Sequence, residues 1–177
     1  MWHSDTAYLE SPAKGALLYA IEIPPIGGDT LFANMNSAYE ALSPGLQKML
    51  STMSAVNDAD KNEIVQTRLN RISEVPQKKL KAEHPVIRTH PETGQKLLYV
   101  NRAHSTRFSD MTRAESADLL EYLFELQSRP EQCCRFSWQK GSLAFWDNRA
   151  CQHYPLNDYH GYKRLMHRIS LAGDKPV

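Results

Sequence analysis

The sequence predicts a mostly β fold with a few flanking helices: an antiparallel sheet architecture such as a jelly roll. Three observations carry this expectation. Short apolar runs rich in β-formers recur along the 177 residues, each closed by a turn signal. Helical patterning is confined to two or three stretches. The last third reads as strand after strand, through "CCRFSWQKG", "SLAFWDN", "CQHYPLN" and "RLMHRISLAG". The length suffices for one domain with a real core, and no internal repeat or low-complexity tract divides it. Residues 1–177 are therefore expected to form a single domain.

Taken in order, "GALLYAIEIPP" (15–25) reads as a largely buried strand ended by Pro-Pro. A Gly-Gly turn in "IGGDTLFAN" leads into a second strand. "NSAYEALSPGLQKML" (36–50) is patterned as helix, with Ser37 and Glu40 spaced as a capping box and Pro44 able to open a second helical turn after Ser43. Residues 54–83 are polar with little periodicity and are expected to be a surface excursion or lid. "HPVIRTHPETGQKLLYVN" (84–101) reads as two strands joined around "PETG". "TRAESADLLEYLFELQSRP" (112–130) carries the clearest helical signal: Thr112 and Glu115 form a capping box, Leu119, Leu120, Leu123 and Phe124 an apolar stripe, and Pro130 follows its end.

Composition narrows the function classes. Hydrophobic residues make up 41% and charged residues 23%, and the formal net charge is +1. That balance gives no electrostatic case for nucleic acid or a membrane as the main partner. No apolar run approaches the ~20 residues needed to span a bilayer, and no basic segment followed by an apolar core opens the chain. Cys133, Cys134 and Cys151 are odd in number and two are adjacent, which argues against a disulfide framework and for a reducing cytoplasm.

Chemistry-bearing residues start at "WHSD". His3 and Asp5 are spaced i and i+2, so on a strand they face one side. With one more imidazole they would form a two-His-one-carboxylate triad of the kind that leaves coordination positions open for cosubstrate and O₂. By itself H-x-D is a weak signal. His84, His90, His104, His153, His160 and His167 are all candidates for the third place, and composition does not rank them. Arg164 and Arg168, four apart at the head of a strand pattern, would share a face, where two inward guanidiniums call for anions. The competing reading is two surface Arg paired with carboxylates. Cys133 and Cys134 would face opposite sides of a strand and cannot chelate together. Cys151 could share the face of His153, although a small buried side chain is the simpler account. The G-x-S-x-G elbow, the phosphate loop, G-x-G-x-x-G, H-E-x-x-H and an EF-hand loop are all absent.

Five blocks together carry a resemblance: "WHSDTAY", "PPIGGDTLFANMNSAYEALS", "HPVIRTHPETGQKLLYVN", "WDNRACQHYPLNDY" and "RLMHRISLAGDKP". In this order and spacing the chain resembles the TauD/TfdA group of Fe(II)/2-oxoglutarate-dependent dioxygenases. The resemblance implies a double-stranded β-helix. It implies that His3, Asp5 and His153 bind iron, and that Thr30 and Arg164 bind the far carboxylate of 2-oxoglutarate. Arg168 matches the Arg that holds the anionic group of the primary substrate, Tyr8 an aromatic lining the substrate pocket, and Trp146 a Trp beside the metal, with a packing role. The implied reaction consumes O₂, oxidatively decarboxylates 2-oxoglutarate to succinate and CO₂, and hydroxylates an unactivated C–H bond of a small anionic compound: a sulfonate such as taurine, an alkyl sulfate or a related carboxylate. Family members often form dimers or tetramers, so a homo-oligomer is an expectation.

Members of the group carry roughly ninety further residues before the H-x-D motif, by the same resemblance, so an N-terminally truncated domain is expected. The alternative functional reading is a catalytically incompetent jelly-roll fragment or metal-binding module. A divalent-metal hydrolase built on the same triad is a third.

Overall fold

The computed structural model describes residues 1–61 and 80–177. Two three-stranded antiparallel sheets dominate. In one, β1 (Gly15–Glu22) lies between β11 (Leu165–Leu171) and β9 (Leu143–Asp147). In the other, β2 (Thr30–Asn34) lies between β10 (Cys151–Pro155) and β8 (Cys133–Phe136). The sheets meet through Trp146 of β9, whose ring is 5.5 Å from that of Phe32 on β2 and 4.9 Å from that of His153 on β10. The fold is the expected double-stranded β-helix, with the N- and C-terminal parts of the chain interleaved in both sheets.

Alternation along the strands assigns each face. On β2 and β10 the register pairs Phe32 with His153 and Ala33 with Gln152. Phe32 and His153 look toward the other sheet. Ala33 and Gln152 look the opposite way, into the hydrophobic core, where the Gln152 amide donates to the Val100 carbonyl at 2.7 Å and contacts Met35 Sδ at 3.2 Å. That core is closed by three helices and a hairpin: α1 (Met35–Glu40), α2 (Pro44–Leu50), α3 (Arg113–Gln127) and the hairpin of β5 (Ile87–Thr89) and β6 (Lys96–Leu98). Met35, Ala38, Leu50, Leu97, Leu98, Leu120, Leu123 and Leu126 are buried there.

The local signals were mostly, but not always, read at the right residue. The Thr112–Glu115 capping box opens α3 as expected, and Ser43 caps α2 with Pro44 in its first turn. The 36–50 helix is interrupted after Glu40. Its first N-cap is Asn34, whose side chain accepts from the Asn36 and Ser37 amides, so the Ser37–Glu40 box is corrected. Asn at the end of a strand satisfies those amides earlier than Ser37 could. The excursion expected over 54–83 is corrected at both ends. Residues Ser54–Asp58 form β3, the central strand between β4 (Lys81–Pro85) and β7 (Ser105–Phe108). Ala55, Val56 and Asn57 are buried, because a β3 flanked on both sides meets the core whatever its polarity. Residues 62–79 of that stretch lie outside the described ones. The 15–25 strand is buried on one face only: Ala16 and Ala20 are inside, whereas Tyr19 shares an apolar outer face with Phe145 (64% exposed) and Ile169 (62% exposed).

A charged cluster fixes the end of β9 to the β5–β6 hairpin. Asp147 accepts from Arg149 and from His90 Nε2 at 3.0 Å, and Arg149 reaches Glu92 at 2.9 Å. Burial would raise the Asp147 carboxyl, but the bonds from Arg149 and His90 outweigh it and hold the group down at about 2. A depressed folded-state pKa contributes stability that is full above the ordinary carboxyl range and is lost as the pH falls toward 2. The Asp147→Asn variant is therefore expected to melt lower than wild type at pH 7. It should also show a shallower decline in melting temperature between pH 4 and pH 2, as followed by circular dichroism.

Candidate metal centre and cosubstrate pocket

The H-x-D segment is held in place by backbone pairing across nearly the whole chain. His3 and His153 form an isolated antiparallel bridge. The His3 N–H donates to the His153 carbonyl at 3.1 Å, and the His153 N–H to the His3 carbonyl at 2.9 Å. Two residues on, the fully buried Asn148 completes the attachment. Its Oδ1 accepts the Asp5 N–H at 2.7 Å, while its Nδ2 donates to the carbonyls of Asp5 (3.1 Å) and Ala13 (2.7 Å). Ser4 Oγ adds a bond to the Cys151 carbonyl. Thr6 then turns the chain at a positive φ of 54°, its hydroxyl accepting the Ala13 N–H at 3.0 Å.

This frame brings His3, Asp5 and His153 together. One ligand atom from each lies within 4.8 Å of the others, and among the described residues they are the group able to hold a metal ion. His3 Nε2 is 3.6 Å and His153 Nε2 3.8 Å from Asp5 Oδ1. Burial pushes both imidazoles down, that of His153 to about 3, so at neutral pH each keeps a free lone pair. Burial alone would raise the Asp5 carboxyl, but His153, Arg168 and His3 around it together hold it below its ordinary value. Two neutral imidazoles and one carboxylate suit a divalent transition metal with open positions. Cys151 lies outside this group, and its thiol is pushed up to about 12, chiefly by burial.

Arg168 and Arg164 separate into two roles. Arg168, opposite Leu18 on β11, is on the inner face of its sheet, and its NH2 donates to Asp5 Oδ2. Its guanidinium carbon is 5.9 Å from the Trp146 ring, so Trp146 packs against His153, Phe32 and Arg168 together. Arg164, just before β11, has Nε and one terminal nitrogen buried with no hydrogen-bond partner among the described residues. Its guanidinium sits between the rings of Trp138 and Tyr159, at 5.8 Å from each. A buried unpaired guanidinium is costly, so this geometry suits a pocket for an anion. Thr30, opposite Pro155 on the face that β2 shares with His153, belongs to the same pocket, with its Oγ1 held by Trp138 Nε1 at 3.0 Å. The Gly-Gly turn serves it too. Gly28 (φ 77°) donates to Asp158 Oδ1 at 2.7 Å, and a Cβ there would come to 3.3 Å from Arg164 Cδ and Nε.

Tyr8 lies edge-on to His104, ring centroids 5.0 Å apart, and His104 lies edge-on to His3 at 6.5 Å. One ring, that of His104, therefore separates Tyr8 from His3. The sequence reading left His104 unranked and passed over Asn148 and Trp138. An Asn after a strand is ordinary turn chemistry and a Trp in a β-rich run is ordinary packing, so only their partners distinguish them. Replacing Asn148 with Ala strands the buried Asp5 N–H and releases the carboxylate's backbone. It is expected to weaken Mn(II) or Fe(II) affinity about 10–100-fold, measured by anaerobic titration.

The family described as "Taurine catabolism dioxygenase TauD, TfdA family" matches residues 1–170. Curated relatives include an "Alkylsulfatase" of Acinetobacter baylyi, 37% identical over 98% of this chain and 56% of that protein. Another is an "Alpha-ketoglutarate-dependent sulfate ester dioxygenase" of Pseudomonas putida, 34% identical over 99% of this chain and 60% of that protein. Among solved structures, a taurine dioxygenase from Burkholderia xenovorans superposes with a TM-score of 0.85 at 36% identity, over 99% of this chain and 58% of that one. AAD-2 in complex with Mn(II) and N-oxalylglycine gives 0.87 at 29% identity, over 99% of this chain and 69% of that one. The chain thus spans a little over half the length of the curated relatives it matches. With residues 1–170 matched by the family model, the chain belongs to the TauD/TfdA family of dioxygenases.

Proposed function

We propose that this chain is the metal- and cosubstrate-binding part of an Fe(II)- and 2-oxoglutarate-dependent dioxygenase that hydroxylates a small anionic compound, preferentially a sulfate ester or sulfonate. The observation that carries the reading is the pairing of two features in one sandwich: a buried His-Asp-His group and a buried guanidinium, Arg164, with unmatched donors. His3, Asp5 and His153 would hold the iron on one face, leaving positions for 2-oxoglutarate and O₂. When bound, the iron and 2-oxoglutarate supply the oxidising power for C–H hydroxylation, with succinate and CO₂ as coproducts. The chain's own work is positioning. Arg164 and Thr30 take the distal carboxylate of 2-oxoglutarate, and Trp138 orients the Thr30 hydroxyl. Trp146 and Phe32 wall the metal side against water. Arg168 neutralises Asp5 and, in this reading, transfers its donors to the anionic group of the substrate once a cation shares the Asp5 charge. Tyr8 covers the substrate side.

The sulfur-ester preference is supported by the names of the relatives at 34–37% identity, together with Arg168 at the mouth of the site. Free thiols at Cys133, Cys134 and Cys151 fit a reducing compartment such as the cytoplasm. Among the described residues, no helix is long and apolar enough to cross a membrane. We take residues 1–177 as one domain and leave a homo-oligomer as part of the proposal, to be read by light scattering.

The test is succinate formation with Fe(II), O₂ and a panel of alkyl sulfates, taurine and aryloxyacetates. Turnover that needs 2-oxoglutarate and is greatest with an alkyl sulfate is the expected result. Turnover of a sulfate ester without 2-oxoglutarate would replace the reading with a hydrolase. Absence of both metal and 2-oxoglutarate binding by folded protein would replace it with an inert fragment.

A second expectation concerns Arg164. Arg164→Met leaves the distal carboxylate without its cation, at a cost of about 3–5 kcal/mol, or roughly 100-fold or more in 2-oxoglutarate affinity. Metal affinity should be nearly unchanged. Anaerobic calorimetry with each ligand in turn separates the two.

A further inference from the structure

Among the described residues, Thr6 is the non-glycine residue with a positive φ, 54°. A β-branched side chain is poorly suited to this left-handed region, which Gly, Asn or Asp enter more easily. A strained residue persists where its surroundings hold it, and such residues gather at functional sites. Here the strain accompanies a particular use of the hydroxyl. Thr6 Oγ1 donates to the Asp5 carbonyl at 2.8 Å and accepts the Ala13 N–H at 3.0 Å. Asn148 ties the same two residues, through the Asp5 N–H and the carbonyls of Asp5 and Ala13. The neck of the 6–13 loop is therefore pinned twice. Farther out the loop has its own anchors: the Thr6 carbonyl accepts the Leu9 N–H at 2.9 Å, and the Leu9 carbonyl accepts from His84 Nε2 at 2.9 Å. Turning the chain at residue 6 does not by itself call for Thr, since Gly adopts a positive φ without strain. What the hydroxyl adds is a second bond on the Asp5 carbonyl.

With that bond, both peptide groups of Asp5 are held. The preceding one is fixed through its N–H to Asn148 Oδ1, and the following one through a carbonyl that accepts from Asn148 Nδ2 and Thr6 Oγ1. The direction of the Asp5 Cα–Cβ bond is thereby set, and the carboxylate divides its oxygens. Oδ1 lies 3.6 Å from His3 Nε2 and 3.8 Å from His153 Nε2, while Oδ2 accepts from Arg168. We propose that Thr6 is a positioning residue of the metal centre: its hydroxyl holds the Asp5 peptide so that the carboxylate offers one oxygen, Oδ1, to the ion and keeps Oδ2 for Arg168. This rests on the metal-binding reading of His3, Asp5 and His153 above. A carboxylate free to swing can turn both oxygens toward a cation, which uses up a position that two His and one carboxylate otherwise leave open.

The experiment uses the full 177-residue chain, with Mn(II) alone for calorimetry and Co(II) alone for visible absorption, in wild type, Thr6→Gly and Thr6→Ser. Gly accepts the positive φ but has no hydroxyl, and Ser keeps the hydroxyl. Expected are a loss of about 10–100-fold in Mn(II) affinity for Thr6→Gly and an affinity within about threefold of wild type for Thr6→Ser. The Co(II) d–d bands, which report the number and arrangement of ligands, should shift in Thr6→Gly and coincide for Thr6→Ser and wild type. If Thr6→Gly does not fold, Thr6→Ala removes the hydroxyl in its place, with the same expectation. Equal Mn(II) affinity and superimposable Co(II) spectra in wild type and the hydroxyl-less variant overturn the assignment. A fall in the metal-free melting temperature alongside those equal values makes Thr6 purely structural. A loss in Thr6→Ser as large as in Thr6→Gly overturns the role of the hydroxyl. Wild type that binds neither ion overturns this assignment together with the metal-binding reading, whereas the other adverse outcomes leave that reading standing.

Discussion

The site depends on the reciprocal backbone bridge between His3 and His153. A group able to hold a metal needs its donor atoms fixed to within a fraction of an ångström, and in this candidate group His3 and His153 are 150 positions apart in sequence. Two N–H···O bonds lock their registers. The bridge also sets which side each side chain takes, because alternation on β10 then forces His153 toward the sandwich interior and Gln152 toward the core. Asn148 extends the same device to Asp5 by treating its amide and carbonyl as a further strand partner. Among the described residues, the bridge and the Asn148 clamp together hold the backbone of the segment before Thr6.

From this constraint the electrostatics follow. Burying two imidazoles against a carboxylate keeps the imidazoles neutral and, with Arg168, the carboxylate ionised. The net result is a site with lone pairs ready for a cation and a guanidinium ready to move. Arg164 illustrates the complementary logic. Among the described residues, its cost of burial is met by the faces of Trp138 and Tyr159, with room left by the missing Cβ at Gly28. Ring faces attract a cation but offer no acceptors for its N–H groups, which is why the pocket asks for an oxyanion.

The two sheets are not equally finished. The sheet built on β2 has a polar, site-lining face and an opposite face covered by α1, α3 and the β5–β6 hairpin. The sheet built on β1 lines the site with Ala16, Trp146 and Arg168, yet its outer face carries Tyr19, Phe145 and Ile169 exposed. Exposed apolar groups in cross-strand register form a patch rather than isolated side chains. It lies on the face of that sheet turned away from the candidate site.

Much of this was legible in the residues alone. Strand-forming runs and turn signals predicted the β sandwich, the Thr112–Glu115 box predicted α3, and the H-x-D pair together with the motif blocks around His153, Thr30 and Arg164 pointed to the site. Those are local patterns, and local patterns survive in one dimension. Position 54–58 was misread because a polar, aperiodic stretch gives no hint that it will be sandwiched between β4 and β7. Ser37 was chosen over Asn34 because which residue ends a strand depends on its pairing. Asn148 and Trp138 were passed over because their significance lies in long-range partners. The sequence by itself determined the donor types and the strand periods that aim them. Only the tertiary structure decided that residues 3 and 153 are hydrogen-bonded neighbours, and that Arg168 faces Asp5 while Arg164 is left unmatched among the described residues. Side-chain alternation is set by each strand alone, whereas the partner each side chain meets is set by how distant strands register.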